Sequence, residues 1–539
     1  MSGKRFMNTW LSVAPFSLFA ASAIILAIFA LPLTYPGHAD PVFYYTVAEN
    51  LCSGRGLNID YVWHYLVQYR TIRHPSNDFW MPLSSIIMCG FFKVFGTSFR
   101  SAQVSSVLFG TLLIVLSSKI AKEIDKTFQT LFGVVLVGLS MPLLTYSAIL
   151  PDSGIYYGLF GGATLLCMVR SYYKKDTTRY IALGGLFAGL TALTRNDGIL
   201  FIVTFTLNEI LSKRYSWTQK GKRLLICLLA FASVMIPWIY YIYMTFGTIQ
   251  PPAAAKVPFL QSYNDLYCPS NKISLQGYLA SGLLSILSQK LLALGQNMVI
   301  MAVISSPVLV ALFVYYLWTN RCNRNIQVIF RPMLVHVVVI FLSYSLIATI
   351  IGPLAWPRAL MAPLPFLIAG ASLGLTQLLR RWRRNRLHLT MGVVLSAIAI
   401  GLQVLVSVFV TKSAYSNTNC IKSILSSVRA DLMDEGGLSD VVVLTNAPWE
   451  VHYSLRVPAV QACLESSWEL AHKFGGTHLL SFDPVRCGIP DLPLRPPSFE
   501  EHYLPLEHLA DISTSNSEAL RLVPIHVASD YQLYRIQQK

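Results

Sequence analysis

Residues 11–45 read LSVAPFSLFAASAIILAIFALPLTYPGHADPVFYY. The run Leu11–Leu33 carries no charge and is long enough for a spanning helix, which needs roughly 20 apolar residues. Lys4 and Arg5 precede it, and Gly37-His38-Ala39 could pass for a small-x-small cleavage site. A signal-peptide core spans only about 7–15 residues, so an uncleaved anchor is the expectation. Directly beyond the anchor, Asp40 stands before a helix-like stretch, Val42–Leu51. A charge this close to hydrocarbon is where chemistry is first sought.

The rest of the chain extends that reading. Of 539 residues, 54% are hydrophobic and 13% charged, against about 25% charged in soluble domains. Long uncharged runs recur at Ser98–Ser118, Phe128–Ile149, Gly154–Val169, Tyr180–Thr194, Gly198–Leu211, Leu224–Met244, Leu291–Trp318, Met333–Ile351, Ala359–Leu379 and Leu389–Val410. The expected fold is therefore an α-helical polytopic membrane protein of about eleven spans over residues 1–412. Leu83–Phe95 is too short to cross and reads as a juxtamembrane or re-entrant helix. With it not crossing, 22 of the 42 Lys/Arg residues fall in alternate connections on one side, as the positive-inside rule requires. Loop 34–97, the loop at Asp152, loop 245–290 and the tail 413–539 then face outward.

Residues 1–412 carry 33 basic against 11 acidic side chains, and the tail 9 against 15. The net charge of +16 thus belongs to the membrane half, which excludes a nucleic-acid binder as well as an ordinary cytosolic enzyme. In the tail, Val441–Thr445, His478–Phe482, Val523–Val527 and Tyr531–Ile536 have strand character, and Ala528-Ser529-Asp530 could turn the last pair into a hairpin. A small extracytoplasmic α/β domain is expected. The nine cysteines show no metal-ligand spacing,. Cys463 and Cys487 are the nearest pair for an outer disulfide.

Asp40 and Asp152 are both placed at the outer surface. Each could be a simple helix cap, but together they could activate a hydroxyl or hold a divalent cation, Mg or Mn. Arg73 and His74, Lys256, and Arg358 join them on that side. Arg suits bidentate phosphate recognition and Lys supplies a compact charge, while snorkelling to lipid headgroups is the bland alternative. Arg195-Asn196-Asp197 reads as a local ion pair, Gly185-x-x-x-Gly189 as helix packing, and Glu209 and His336 as structural hydrogen-bond formers.

The order of these residues resembles the GT-C superfamily of membrane glycosyltransferases. The carrying motifs are Asp40-Pro-Val-Phe-Tyr44-Tyr45 through Gly54-Arg-Gly56, His74-Pro75 with Pro82-Leu83 and Phe95-Gly96, Phe246-Gly247 through Pro251-Pro252-Ala-Ala-Ala-Lys256, and Pro357-Arg358 through Pro363. Pro252 and Ala359 depart from the usual Asn and Tyr.

The resemblance implies transfer of a sugar from a polyprenyl-phosphate donor to an acceptor hydroxyl on lipid, glycan or protein, with inversion. Asp40 inherits the general-base role, with Asp152 positioning the acceptor or a metal. Tyr44 and Tyr45 would position substrate, and Arg358, Lys256, Arg73 and His74 would hold the phosphate. A bacterial plasma membrane fits this reading best. A transporter or flippase of a lipid-linked anion, or a non-catalytic scaffold, would share the basic residues. The first would need a polar route through spans that hold few ionisable groups.

Overall fold

The computed structural model describes residues 2–36, 39–268, 273–382, 386–463, 466–482, 520–527 and 531–538. Gly37, His38, Arg383, Arg384, Cys487 and the turn Ala528-Ser529-Asp530 lie outside them.

The chain is a multi-pass helical membrane protein, and its helices follow the apolar runs. Among the described residues four helices are long and apolar enough to cross: Phe99–Lys122, Trp217–Phe246, Leu283–Ile304 and Arg324–Leu346. A bent pair can supply a fifth. Other runs form shorter helices, such as Ser153–Arg170, Thr177–Thr194 and Leu200–Leu211.

Two predicted spans are interrupted, and both breaks stand directly before a proline. Gln129–Ser140 and Pro142–Ile149 meet at 66°, and Leu291–Trp318 divides into Leu283–Ile304 and Pro307–Thr319. Proline lacks the N–H that would continue the helix and disfavours helical geometry in the residue before it. Polar groups freed within a bilayer must be satisfied by protein. Gln403 ties the two breaks together through serine side chains beside them: its Oε1 accepts from Ser140 Oγ at 3.0 Å and its Nε2 donates to Ser306 Oγ.

Small residues bring the helices together. A Cβ at Gly185 would stand 2.3 Å from the Cys227 carbonyl, and one at Gly189 would stand 2.7 Å from Val234 Cβ. The Gly185-x-x-x-Gly189 face thus seats Thr177–Thr194 against Trp217–Phe246.

The longest described helix, Arg386–Asp434, has 49 residues and a length of about 70 Å. It runs without interruption past residue 412, and Ile421, Leu425, Val428 and Leu432 enter the core below a six-stranded sheet. Across that sheet the order is Tyr61–Val62, Ala459–Gln461, Val443–Thr445, His478–Phe482, Tyr531–Gln538, Leu520–Val527. The first four strands are parallel, and the last two form an antiparallel hairpin. His478–Phe482 matches its predicted bounds. The edge strand comes from the first loop, so that loop and the tail share one sheet.

Further ties hold this seam. Arg456 Nη1 lies 2.6 Å from Glu49 Oε2, and Tyr65 Oη donates to the Gln461 carbonyl at 2.5 Å. A disulfide within the first loop joins Cys52 to Cys89, and another joins loop 245–290 to the tail through Cys268 and Cys463. Cys463 therefore pairs across 195 residues of sequence and not with the nearby Cys487.

Glu450, in the helix Pro448–Leu455 at the seam, is 5% exposed, and its Oε2 has no hydrogen-bond partner among the described residues. Burial raises its carboxyl well above the ordinary range, so folding disfavours its charged form. The unfolded chain ionises near the ordinary carboxylate pKa, so this group destabilises the fold progressively as pH rises above that value. Glu450→Gln is expected to raise the melting temperature by a few degrees at pH 7.5, on the order of 1–2 kcal/mol. Near pH 4 the gain should vanish, and a melting difference that does not change with pH would contradict the assignment.

Candidate active site

Three helix ends carry the central residues. Asp40 lies in the first turn of Ala39–Cys52, Asp152 caps Ser153–Arg170, and Arg358 lies in the last turn of Gly352–Ala359. Each charge opposes the partial charge of its own helix end, which favours an anion at an N-terminus and a cation at a C-terminus.

The three ends meet. Arg358 Nη2 lies 2.8 Å from Asp40 Oδ2, and its Nε donates to Asp152 Oδ2. Asp152 Oδ1 also accepts from the Ser153 backbone N–H and, at 3.0 Å, from Ser153 Oγ. Asp152 is thus both the cap and a member of the cluster, so the two readings of it are compatible. Gly154 allows the approach: a Cβ there would stand 3.6 Å from Arg358 Cγ. Trp356, fully buried, donates Nε1 to the Asn297 carbonyl at 3.2 Å and pins the Arg358 helix to its neighbour.

The guanidinium is 22% exposed, Asp40 19% and Asp152 9%. Burial works against the charge on Arg358, but Asp152 and Asp40 more than offset it and raise its pKa. Arg358 is therefore a cation at any working pH. The Tyr44 hydroxyl is buried and held as a neutral phenol, first by desolvation and then by Asp152 and Asp40.

Tyr45 points elsewhere, its ring packing on Phe92 and Tyr453 at 5.3 and 5.2 Å. Arg73 Nε lies 3.4 Å from Asp60 Oδ1. His74 is buried, donates its Nδ1–H to the Ile72 carbonyl at 2.6 Å, and lies against the Tyr69 ring with centroids 3.8 Å apart. Burial pushes its pKa down to about 4, so it is neutral near pH 7 and brings no cation. Arg73 and His74 stand with these partners, in a different group from Arg358.

Lys256 Nζ donates to the Leu66 carbonyl at 2.6 Å. It lines an open cavity of about 570 Å³ with Gln250, Phe259, Ile273 and Leu275.

Arg195 is a residue that its sequence context undersold. It does pair with Asp197, at 3.2 Å. It also donates to Tyr344 Oη at 3.0 Å and to the Ala355 carbonyl, on the Arg358 helix, at 3.4 Å. Its positive charge is felt at both Arg358 and Tyr44. A strong local partner in the sequence masked these long-range ones.

A divalent cation is not well matched by this set. Such ions take about six oxygen ligands, whereas Asp40 and Asp152 each commit an oxygen to the guanidinium between them. Among the described residues no group of three or more His, Cys, Asp or Glu side chains is arranged to hold a metal ion.

Comparison with known proteins gives a family match and likenesses of fold. Residues 73–241 match the dolichyl-phosphate-mannose-protein mannosyltransferase family. ArnT from Cupriavidus metallidurans, solved with undecaprenyl phosphate bound, superposes with a TM-score of 0.59 at 13% identity, over 97% of this chain and 98% of that one. The archaeal oligosaccharyltransferase AglB from Archaeoglobus fulgidus, in complex with an inhibitory peptide and a dolichol-phosphate, superposes at 0.56 and 11% identity, over 88% and 70%. No curated protein sequence matches the chain significantly. At these identities the likeness is one of fold, shared with ArnT and AglB.

Proposed function

We propose that this chain, which has the GT-C fold, is an inverting membrane glycosyltransferase. It would move a sugar from a polyprenyl-phosphate donor to a hydroxyl of a lipid, glycan or protein acceptor at the outer face. The observation that carries the reading is the Asp40–Arg358–Asp152 bridge, which joins a candidate base to a candidate phosphate ligand across more than 300 residues of sequence.

Asp40 takes the proton of the acceptor hydroxyl, and the oxygen attacks the anomeric carbon from the face opposite the leaving group. The bond from that carbon to the phosphate oxygen breaks, and the electron pair leaves with the polyprenyl phosphate. Negative charge grows on that phosphate, so cations preorganised around it lower the barrier more than a proton donor would. Arg358 supplies the first, and Lys256 and Arg195 the others. Two carboxylates and one guanidinium leave the resting cluster with a net negative charge, so an entering phosphate replaces a carboxylate on Arg358. That exchange frees Asp40 to accept a proton. Asp152, anchored by its capping bonds, keeps Arg358 in place meanwhile, and Tyr44 borders both carboxylates.

The outward orientation is supported by the cysteines. Both described disulfides join segments expected outside, whereas the free thiols are Cys167, Cys227 and Cys322, near the inner basic connections. Disulfides persist in oxidising compartments and thiols in reducing ones. A bacterial plasma membrane fits this polarity.

The test is to supply the reconstituted protein with a panel of radiolabelled polyprenyl-phosphate sugars and hydroxyl acceptors. One label should leave the lipid and appear on an acceptor with inverted anomeric configuration. Retention of every label on lipid would contradict the proposal.

A further inference from the structure

The first loop contains a buried cluster that the transfer chemistry does not use. His64 is fully buried, Asp78 is 1% exposed, and Tyr69 is buried beside them. His64 Nε2 lies 3.6 Å from Asp78 Oδ1 and 3.0 Å from Tyr69 Oη, and Tyr69 Oη donates to Asp78 Oδ2. Burial opposes the charge on Asp78, but His64 and the Tyr69 hydroxyl beside it outweigh that and hold the carboxyl below its ordinary range.

The backbone of this cluster reaches the loop that bears Lys256. The Leu66 N–H donates to His64 Nδ1 at 3.3 Å, which fixes the turn whose Leu66 carbonyl receives Lys256 Nζ. The Asp78 carbonyl accepts the backbone N–H groups of Ala253 and Ala254 at 2.9 and 3.2 Å. Those residues lead directly into the short helical segment Ala254–Phe259 that carries Lys256. One network therefore sets both the start of the Lys256 segment and the acceptor on which its ammonium rests. An ammonium has three N–H donors. One is spent on Leu66 and the other two have no partner among the described residues, on a side chain that lines the cavity.

We propose that His64, Asp78 and Tyr69 are positioning residues that preorganise Lys256 for an anionic phosphate headgroup in the adjoining cavity. The inference rests on the reading of Lys256 as a donor-phosphate ligand. Its physical basis is that a long, flexible side chain loses less entropy on binding when it is already held in place.

The experiment uses the full chain in phosphatidylcholine nanodiscs, with undecaprenyl phosphate as the probe and tryptophan fluorescence as the readout. Lys256→Ala should weaken binding about 10-fold or more, the loss of one charge-assisted hydrogen bond. Asp78→Asn should weaken it about 5- to 10-fold, and adding it to Lys256→Ala should cost nothing further. Tyr69→Phe, which keeps the aromatic packing, should give a smaller loss with the same non-additivity and faster hydrogen exchange at the Ala253 and Ala254 amides. It carries the test if Asp78→Asn fails to fold.

Losses that add to that of Lys256→Ala would show a general structural role and overturn the inference. So would unchanged binding in the Asp78 and Tyr69 variants when Lys256→Ala binds weakly. Unchanged binding in Lys256→Ala itself would overturn the inference together with its premise about Lys256, while leaving the base role of Asp40 to its own test.

Discussion

Asp40→Asn is expected to lower sugar transfer by about 10²- to 10⁴-fold, the range over which a positioned general base contributes. The amide is nearly isosteric and can still accept a hydrogen bond from Arg358, so the protein should insert, melt and bind donor much as before. What it cannot do is accept the proton of an attacking hydroxyl. The split matters: turnover at saturating donor should collapse while donor affinity stays within a few-fold. Near-normal turnover would remove Asp40 from the base role, and a parallel loss of donor binding would make it a structural partner of Arg358.

Arg358→Ala is expected to be nearly as damaging, for a different reason. The guanidinium lies within bonding distance of both Asp40 and Asp152. Its removal takes away a preorganised cation at the leaving phosphate, worth about 10²- to 10³-fold in turnover. It also leaves two partly buried carboxylates facing each other, and breaking a buried pair in this way is strongly destabilising. Arg358→Lys separates the two effects. A single ammonium restores the charge but cannot span two carboxylates with a planar fork. Folding should recover more fully than turnover. Assays of donor binding and melting on both variants check this. Full recovery of turnover by Lys would mean that bulk charge, and not the bridge, is what the site uses.

The core of the site was legible in the sequence because its residues are costly where they stand. Asp40, Asp152 and Arg358 each lie at the end of an apolar run, and the basic connections place all three ends on one side. That sidedness, together with the GT-C resemblance, is what led to expecting them together. Tyr44 and Tyr45 show where such reading stops. Adjacent residues on a helix face different directions, and only Tyr44 turns toward the carboxylates. Arg73 and His74 were harder still. Their placement depends on the fold of a loop whose strand Tyr61–Val62 pairs with Ala459–Val460 in the tail. Strands of two and three residues leave no periodicity to detect. For the same reason the sequence suggested a self-contained tail, where the structure has a sheet shared with the first loop. The Cys268–Cys463 bond depends on that same long-range approach. The interrupted spans were visible in principle, since Pro142 and Pro307 are plain in the sequence. Hydropathy alone reads straight through a proline, which is why each of these two runs was expected as a single span.

The most direct test of the account is a double-mutant cycle on turnover with Asp40→Asn, Arg358→Ala and the two combined, in the reconstituted full chain. If both residues serve one displacement in one pocket, the combined variant should be hardly slower than the worse single variant, because groups that act as a unit are strongly non-additive. Losses that multiply, as they would for residues acting at independent sites, would contradict the shared site on which the proposed chemistry rests.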